Sequence, residues 1–255
     1  MGRFAVAVCL LVPVILWVVP GHALGANGAE LLRHLDLALK SYAEVHDYTS
    51  IMIGRERLGG ELRPQERILL KFQRPFKVYM KWVEGPSKGR EGLYVSGAHN
   101  GKFLIYEPRG IRRLFTAALE PRDQRVMEQS RHPVTDVGIG RLLEIVGENA
   151  RRGAKNGVLH VVDRGAGDLA GRRVRNIEGM LPRDQGLAYY CYRVVLSFDE
   201  EHHLPIRVVV YDWDDQIVEE YIHTDLRLNP GLTGRDFDPD NGDYGFSSWR
   251  IPIPG

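Results

Sequence analysis

The stretch RILLKFQRPFKVYMKWVEG, residues 67–85, decides the fold. Ile68, Leu70 and Phe72 alternate with Arg67, Leu69, Lys71 and Gln73. Val78, Met80 and Trp82 then alternate with Lys77, Tyr79, Lys81 and Val83. A period of two puts successive side chains on opposite faces, so each run is a strand with one apolar face. Leu69, Tyr79 and Val83 are apolar on the other face too, which predicts that part of the sheet is covered on both sides. Leu93 and Val95, then Phe103 and Ile105, continue the pattern. Glycine-rich turns at 84–89 and 96–101 separate the runs. Short strands joined by tight turns predict an antiparallel meander.

Outward from this core, the period shifts to that of a helix at two places. Residues 27–46 bring Leu31, Leu35, Ala38, Leu39, Tyr42 and Val45 to one face, with Asn27 as the expected cap and Glu30 as its box partner. Residues 135–151 carry Val137, Leu142, Leu143 and Val146 as a stripe, with Thr135 as the expected cap and Gly138 and Gly140 weakening the first turns. Strands return after Gly157. Tyr190, Tyr192, Val194, Leu196 and Phe198 alternate, and turns at 199–203 and 212–216 lead to two further runs. The reading is mainly β (α+β), one domain over residues 26–255: a large antiparallel sheet, an N-terminal and a central helix packed on it, and a tail from about residue 229.

Residues 1–25 read as a secretory signal. Arg3 precedes an uncharged apolar run at 4–19, and Ala23 and Gly25 supply small residues for cleavage. The run is short of the ~20 residues of a spanning helix. Without this segment, basic and acidic side chains are equal in number, so no charge excess recruits nucleic acid. Cys9 leaves with the signal, and Cys191 alone forms no internal disulfide.

Four motifs invite a chemical reading. Asp236, Asp238, Asp240 and Asp243 crowd the tail, but neither register from Asp236 or Asp238 places Gly and Glu where a calcium loop needs them, so capped turns are expected and no metal. RGAGDLAG, residues 164–171, fits a dinucleotide fingerprint, yet a strand follows where a helix is required, so a hairpin is expected. Cys191 is either a reactive thiol or a buried structural one. Arg131 and His132 precede the central helix, where they either contact an anion or partner or clamp their loop to nearby carboxylates.

Three stretches together, SRHPVTDVGIGRLLE (130–144), HLPIRVVVYDW (203–213) and LNPGLTGRDFDPDNGDYGF (228–246), resemble the exported bacterial family named domain of unknown function 1571, whose fold is similar to the LolA/LolB lipoprotein carriers. The resemblance covers roughly residues 40–246. It implies a curved antiparallel sheet forming an open half-barrel, with the helices on its concave face and an apolar hollow that holds acyl chains. It also implies that the aspartate-rich tail ties down the barrel's edge, with Phe237, Tyr244 and Phe246 as anchors. The carriers' functional arginine has no clear counterpart here.

No nucleophile or acid–base pair with an orienting group is visible, which argues against a hydrolase and against a cofactor. The expected function is a non-enzymatic periplasmic binding or carrier-like protein, soluble and exchanging with membranes, for a lipid acyl chain or another hydrophobic group. The alternative is an envelope scaffold that holds a partner peptide or protein. Leu70, Phe72, Met80 and Trp82 are the expected ligand wall, and ordinary sheet–helix core is the competing reading of the same four residues.

Overall fold

The computed structural model describes residues 28–184, 188–247 and 250–252. The signal segment and the Asn27 cap lie outside the described residues. The elements are α1 (Ala29–Ala43), β1 (Asp47–Leu58), β2 (Glu61–Leu62), β3 (Glu66–Gln73), β4 (Lys77–Glu84), β5 (Glu91–Val95), β6 (Phe103–Tyr106) and β7 (Thr116–Leu119). They continue with α2 (Gln124–Met127), α3 (Ile139–Lys155), β8 (His160–Leu169), β9 (Arg172–Met180), β10 (Arg193–Asp199), β11 (Pro205–Tyr211), β12 (Ile217–Leu228) and β13 (Arg250–Pro252). One open, curved sheet runs β13-β7-β6-β5-β4-β3-β1-β12-β11-β10-β9-β8, and short β2 pairs with β1. All of its pairings are antiparallel except β13 with β7.

Residues 67–85 form the β3–β4 hairpin in the register their alternation requires: Ile68 faces Trp82, Leu70 faces Met80 and Phe72 faces Val78. That parity turns inward, toward the helices. Two meanders, β3–β7 and β8–β12, join where β1 pairs with β12, as in Met52 opposite His223. RGAGDLAG lies in the β8–β9 hairpin, turned at Ala170 and Gly171, which both take positive φ.

α1 buries Leu31, Leu35 and Ala38 against the inner face. It sits close because β9 offers Gly179, where an added Cβ would fall 2.9 Å from Leu31. The two helices touch at Gly140, where a Cβ would stand 2.5 Å from the Tyr42 ring. At α1, where Gly28 is the N-cap, Glu30 pairs with Arg33 and His34. At the central helix a capping expectation fails. Thr135 does not cap the central helix, because residues 134–136 form a separate 3-10 turn and α3 starts at Ile139. The Ile139 N–H donates to the hydroxyl of buried Tyr48, 3.1 Å away on β1. Gly138, at φ 114°, makes the turn that allows this. At its far end α3 outruns the expected Arg151, and a Schellman motif stops it: Val158 N–H reaches Gly153 O and Gly157 N–H reaches Ala154 O.

The tail takes a path the resemblance only half describes. β13 does pair with the edge strand β7. Before that, residues 229–247 cross the outer face of the β3–β7 meander. Phe237, Tyr244, Phe246 and Leu232 pack there on Tyr79, Leu93, Leu104 and Ala118 as a second core. Tyr244 stacks on Tyr79 with ring centroids 3.9 Å apart. Lys71 donates to Asp236 at 2.8 Å and to the Tyr244 hydroxyl at 3.0 Å. The sheet is therefore covered on both faces here, as the apolar Tyr79 predicts. The aspartates cap turns: Asp236 and Thr233 form a reciprocal capping box, and Asp238 accepts from Asp240 N–H.

Candidate functional site: a hollow on the inner face

A cavity of about 1130 Å³ opens between the inner sheet face, α3 and the segment that precedes α3. Its apolar wall comes from β1 (Met52), β3 (Ile68), β4 (Met80, Trp82), β6 (Phe103, Ile105), β11 (Val208, Val210) and α3 (Leu142, Val146). Leu142 and Val146, expected to be buried, are only half-buried because they face this space. Leu143 on the neighbouring face of the helix is buried, and so are Ile139 and Ala150.

The four expected wall residues separate. Met80 and Trp82 border the cavity. Leu70 and Phe72 lie in filled core under the start of α3, where Phe72 stacks on Tyr48 with centroids 5.1 Å apart. The strand β1, with Met52, Gly54 and Glu56 of one parity facing the cavity, supplies wall that the sequence reading did not identify.

One end of the cavity is polar. Glu56 and Glu219 are directly opposed across the β1–β12 pairing, and Glu219 is buried. Two carboxylates this close in a low dielectric need donors, and the loop before α3 brings them. Glu219 accepts from His132 Nε2 at 2.8 Å and Tyr190 Oη at 2.8 Å, with Arg131 Nε at 3.5 Å. Glu56 accepts from the Arg131 N–H at 2.8 Å, from Ser130 Oγ at 3.2 Å and from the Tyr221 hydroxyl. Arg131 and His132 are thus engaged with carboxylates, which is the clamp expected as one of their two roles. Burial pulls the His132 pKa down, but the bond to Glu219 and its charge hold it above the usual imidazole value. Burial, reinforced by Glu219, pushes Tyr190 up, and burial with Glu56 does the same to Tyr221, so both hydroxyls stay protonated donors.

Two further cavity residues are chemically quiet. Burial and Glu219 push the Cys191 thiol up to about 12, so it stays a thiol near neutrality. His223 is buried, with Nδ1 2.9 Å from Ser50 Oγ, and burial lowers its pKa to about 4. No group of three or more His, Cys, Asp or Glu side chains is arranged to hold a metal among the described residues. The cavity is apolar along most of its wall, with a hydrogen-bonded network of carboxylates, tyrosines and the Arg131–His132 loop at one end.

Over residues 45–246 the sequence matches the family model described as "Protein of unknown function (DUF1571)". The chain belongs to that family. No curated protein matches this DUF1571 chain. Solved structures with its fold include lipoprotein LppX of Mycobacterium tuberculosis, at 11% identity and TM-score 0.50, covering 82% of this chain and 99% of that one. A putative outer membrane lipoprotein-sorting protein domain from Vibrio parahaemolyticus aligns at 14% identity and TM-score 0.34, over 80% of this chain and 95% of that one. The Pseudomonas aeruginosa MucA/MucB complex aligns at 13% identity and TM-score 0.46, over 82% of this chain but only 60% of that one. The DUF1571 chain shares the open, curved antiparallel sheet of LppX.

Proposed function

We propose that the chain is a non-enzymatic binding or carrier protein of the cell envelope that holds a lipid acyl chain or similar hydrophobic group in the inner-face hollow. The cavity carries this reading. At ~30 Å³ per water-sized group, its 1130 Å³ takes roughly 35 to 40 methylene-sized groups, the bulk of two long acyl chains. It exceeds the ~300–1,000 Å³ of ordinary small-molecule pockets. Met80, Trp82, Met52 and Phe103 give it an apolar wall, and the flexible methionines adapt to chains of different length. The carboxylates and tyrosines at its polar end are spent on the loop clamp, and the thiol is protonated, so the described residues offer no activated nucleophile there. The signal-like residues 1–25 make the periplasm the proposed compartment.

Native mass spectrometry of the chain purified from its own envelope tests the reading. The expected result is a bound lipid whose release accompanies uptake of a fluorescent acyl probe. A co-purifying protein in place of lipid, with no probe uptake, would overturn it in favour of a scaffold.

A further inference from the structure

We propose that the β6–β7 loop docks the mouth of the hollow onto an anionic lipid surface. Two side chains, Ile111 at 76% and Leu114 at 57%, are the large hydrophobic residues left exposed among the described residues. They sit in one short 3-10 turn, residues Gly110–Leu114. Arg109, Arg112 and Arg113 interleave with them, all exposed and none within ion-pair distance of a carboxylate among the described residues. Most other described arginines on the sheet do have such partners, as Arg55 and Arg207 have Glu220.

The base of the loop is fixed while its tip projects. Glu107 pairs with Arg90 at 2.6 Å, and Pro108 lies against Gly89, where an added Cβ would come within 2.9 Å of its ring. At the tip, Gly110 has open space around it. Arg112 and Phe115 belong to the cavity wall, so a surface touched by the tip meets the opening of the hollow.

Apolar side chains on a projecting turn, ringed by free guanidinium groups, match a soft interface with acyl chains below and negative headgroups above. A second copy of this chain fits poorly, because it would bring six unpaired arginines together at a contact of four apolar side chains. The chain carries no overall basic excess, so the attraction is local to this loop. The proposal rests on the carrier reading for its purpose, since it gives the cargo a way in, but its measurement does not need a bound cargo.

The test is flotation of the exported chain with vesicles of phosphatidylcholine alone and with phosphatidylglycerol as about one third of the lipid. Comparison between variants of the same purified form keeps any contribution from residues 1–27 constant. Wild type is expected to float with the anionic vesicles and to be released by salt. Ile111→Ser with Leu114→Ser should weaken partition at least tenfold. Arg109→Gln with Arg113→Gln should weaken it about fivefold per arginine. All four positions are exposed, so melting temperatures should hold, and uptake of an acyl probe in solution should be unchanged in both variants. Absence of wild-type flotation at low salt overturns the proposal, as does equal flotation on both vesicle types or indifference to both double variants. So does a sedimentation result in which Ile111→Ser with Leu114→Ser breaks a dimer and leaves flotation intact. If wild type floats but takes up no acyl probe, the carrier reading fails and the docking surface stands.

Discussion

Leu70 and Met80 face each other across the β3–β4 hairpin, yet they should respond differently to mutation. Leu70 is fully buried in filled core, whereas Met80 borders the hollow. Leu70→Ala removes packed methyl groups from a site with no room to collapse and should cost ~3 kcal/mol, within the usual range of about 2–5. At roughly 2–4 °C per kcal/mol for a chain of this size, the melting temperature should drop by about 10 °C. In Met80→Gln the amide faces space that admits water when no ligand is bound. The penalty for a buried unpaired polar group is then largely avoided, and the cost should stay near ~1 kcal/mol. A bound acyl chain would strip that water and strand the amide, weakening binding by about 1–3 kcal/mol, or roughly tenfold to a hundredfold. Differential scanning fluorimetry without ligand and titration with a fluorescent acyl probe measure the two quantities. Leu70→Ala should melt early and bind normally below its transition, whereas Met80→Gln should melt nearly as wild type and bind poorly. If both variants melt early by the same amount and Met80→Gln keeps wild-type affinity, the cavity is not the binding site and the reasoning fails.

On the outer face, Phe237→Ala should cost ~3–5 kcal/mol, because Phe237 is buried in the second core with Lys77 Nζ over its ring; a loss under about 1 kcal/mol in denaturant titration would show that the tail merely rests there. Calcium should leave the melting temperature unchanged, since Asp236 is engaged by Lys71 and Thr233 and Asp238 by a backbone N–H; a calcium-dependent rise of several degrees would reveal a site. Burial holds His223 at about 4 in the folded state, below its unfolded value of ~6.5. Its contribution is therefore present above pH 6.5 and lost as pH falls toward 4, about 3 kcal/mol in all. His223→Gln should flatten that limb of the stability curve, and parallel curves would refute the assignment. His132 runs the other way: its folded pKa is raised, so its share is complete below ~6.5 and fades as pH climbs through the raised value. His132→Gln should remove a loss on that side, read by chemical denaturation across neutral to alkaline pH.

Local pattern made the hairpin legible, because Ile68, Leu70, Phe72, Met80 and Trp82 keep a strict period of two and the structure keeps their parity. The same rule let Tyr79 announce a covered outer face. It did not reveal what covered it, since Phe237 and Tyr244 arrive from about 160 residues further on. Lys71 reads as a solvated strand residue for the same reason, and is instead pinned between Asp236 and Tyr244. The error at Thr135 has a similar origin. Sequence places a cap beside the helix, but the donor at Ile139 is satisfied by Tyr48, 91 positions away. Glu56 and Glu219 were invisible as a pair, because only the β1–β12 pairing brings them together. Glu219 itself gave a misleading sign: Val218 and Ile222 carry the strand's apolar pattern, whereas the structure turns the other parity, Glu219, Tyr221 and His223, toward the cavity. Within the candidate wall, alternation could assign a face to Leu70 and Met80 alike. It could not tell filled core from hollow, because that depends on where α3 ends its contact with the sheet.

The placement of the tail bears on how a hollow is tolerated at all. A sheet gains stability by burying at least one face, and a cavity withholds contacts from the residues that line it. In this chain β9 and β10 bury Ile177, Leu196 and Phe198 in the same core as Leu31 and Leu35 of α1, while β11 gives Val208 and Val210 to the cavity wall. The β4–β7 half gives Met80, Trp82, Phe103 and Ile105 to the cavity wall. On its reverse side Tyr79, Leu93, Leu104 and Ala118 are buried by the tail. The outer face thus takes over the role that the inner face gives up, and the edge beyond it is closed by β13. The aspartate-rich segment serves this packing. Its turns, set by Asp236 and Asp238, aim Phe237 and Tyr244 at the sheet, and that packing offsets the contacts withheld on the opposite face.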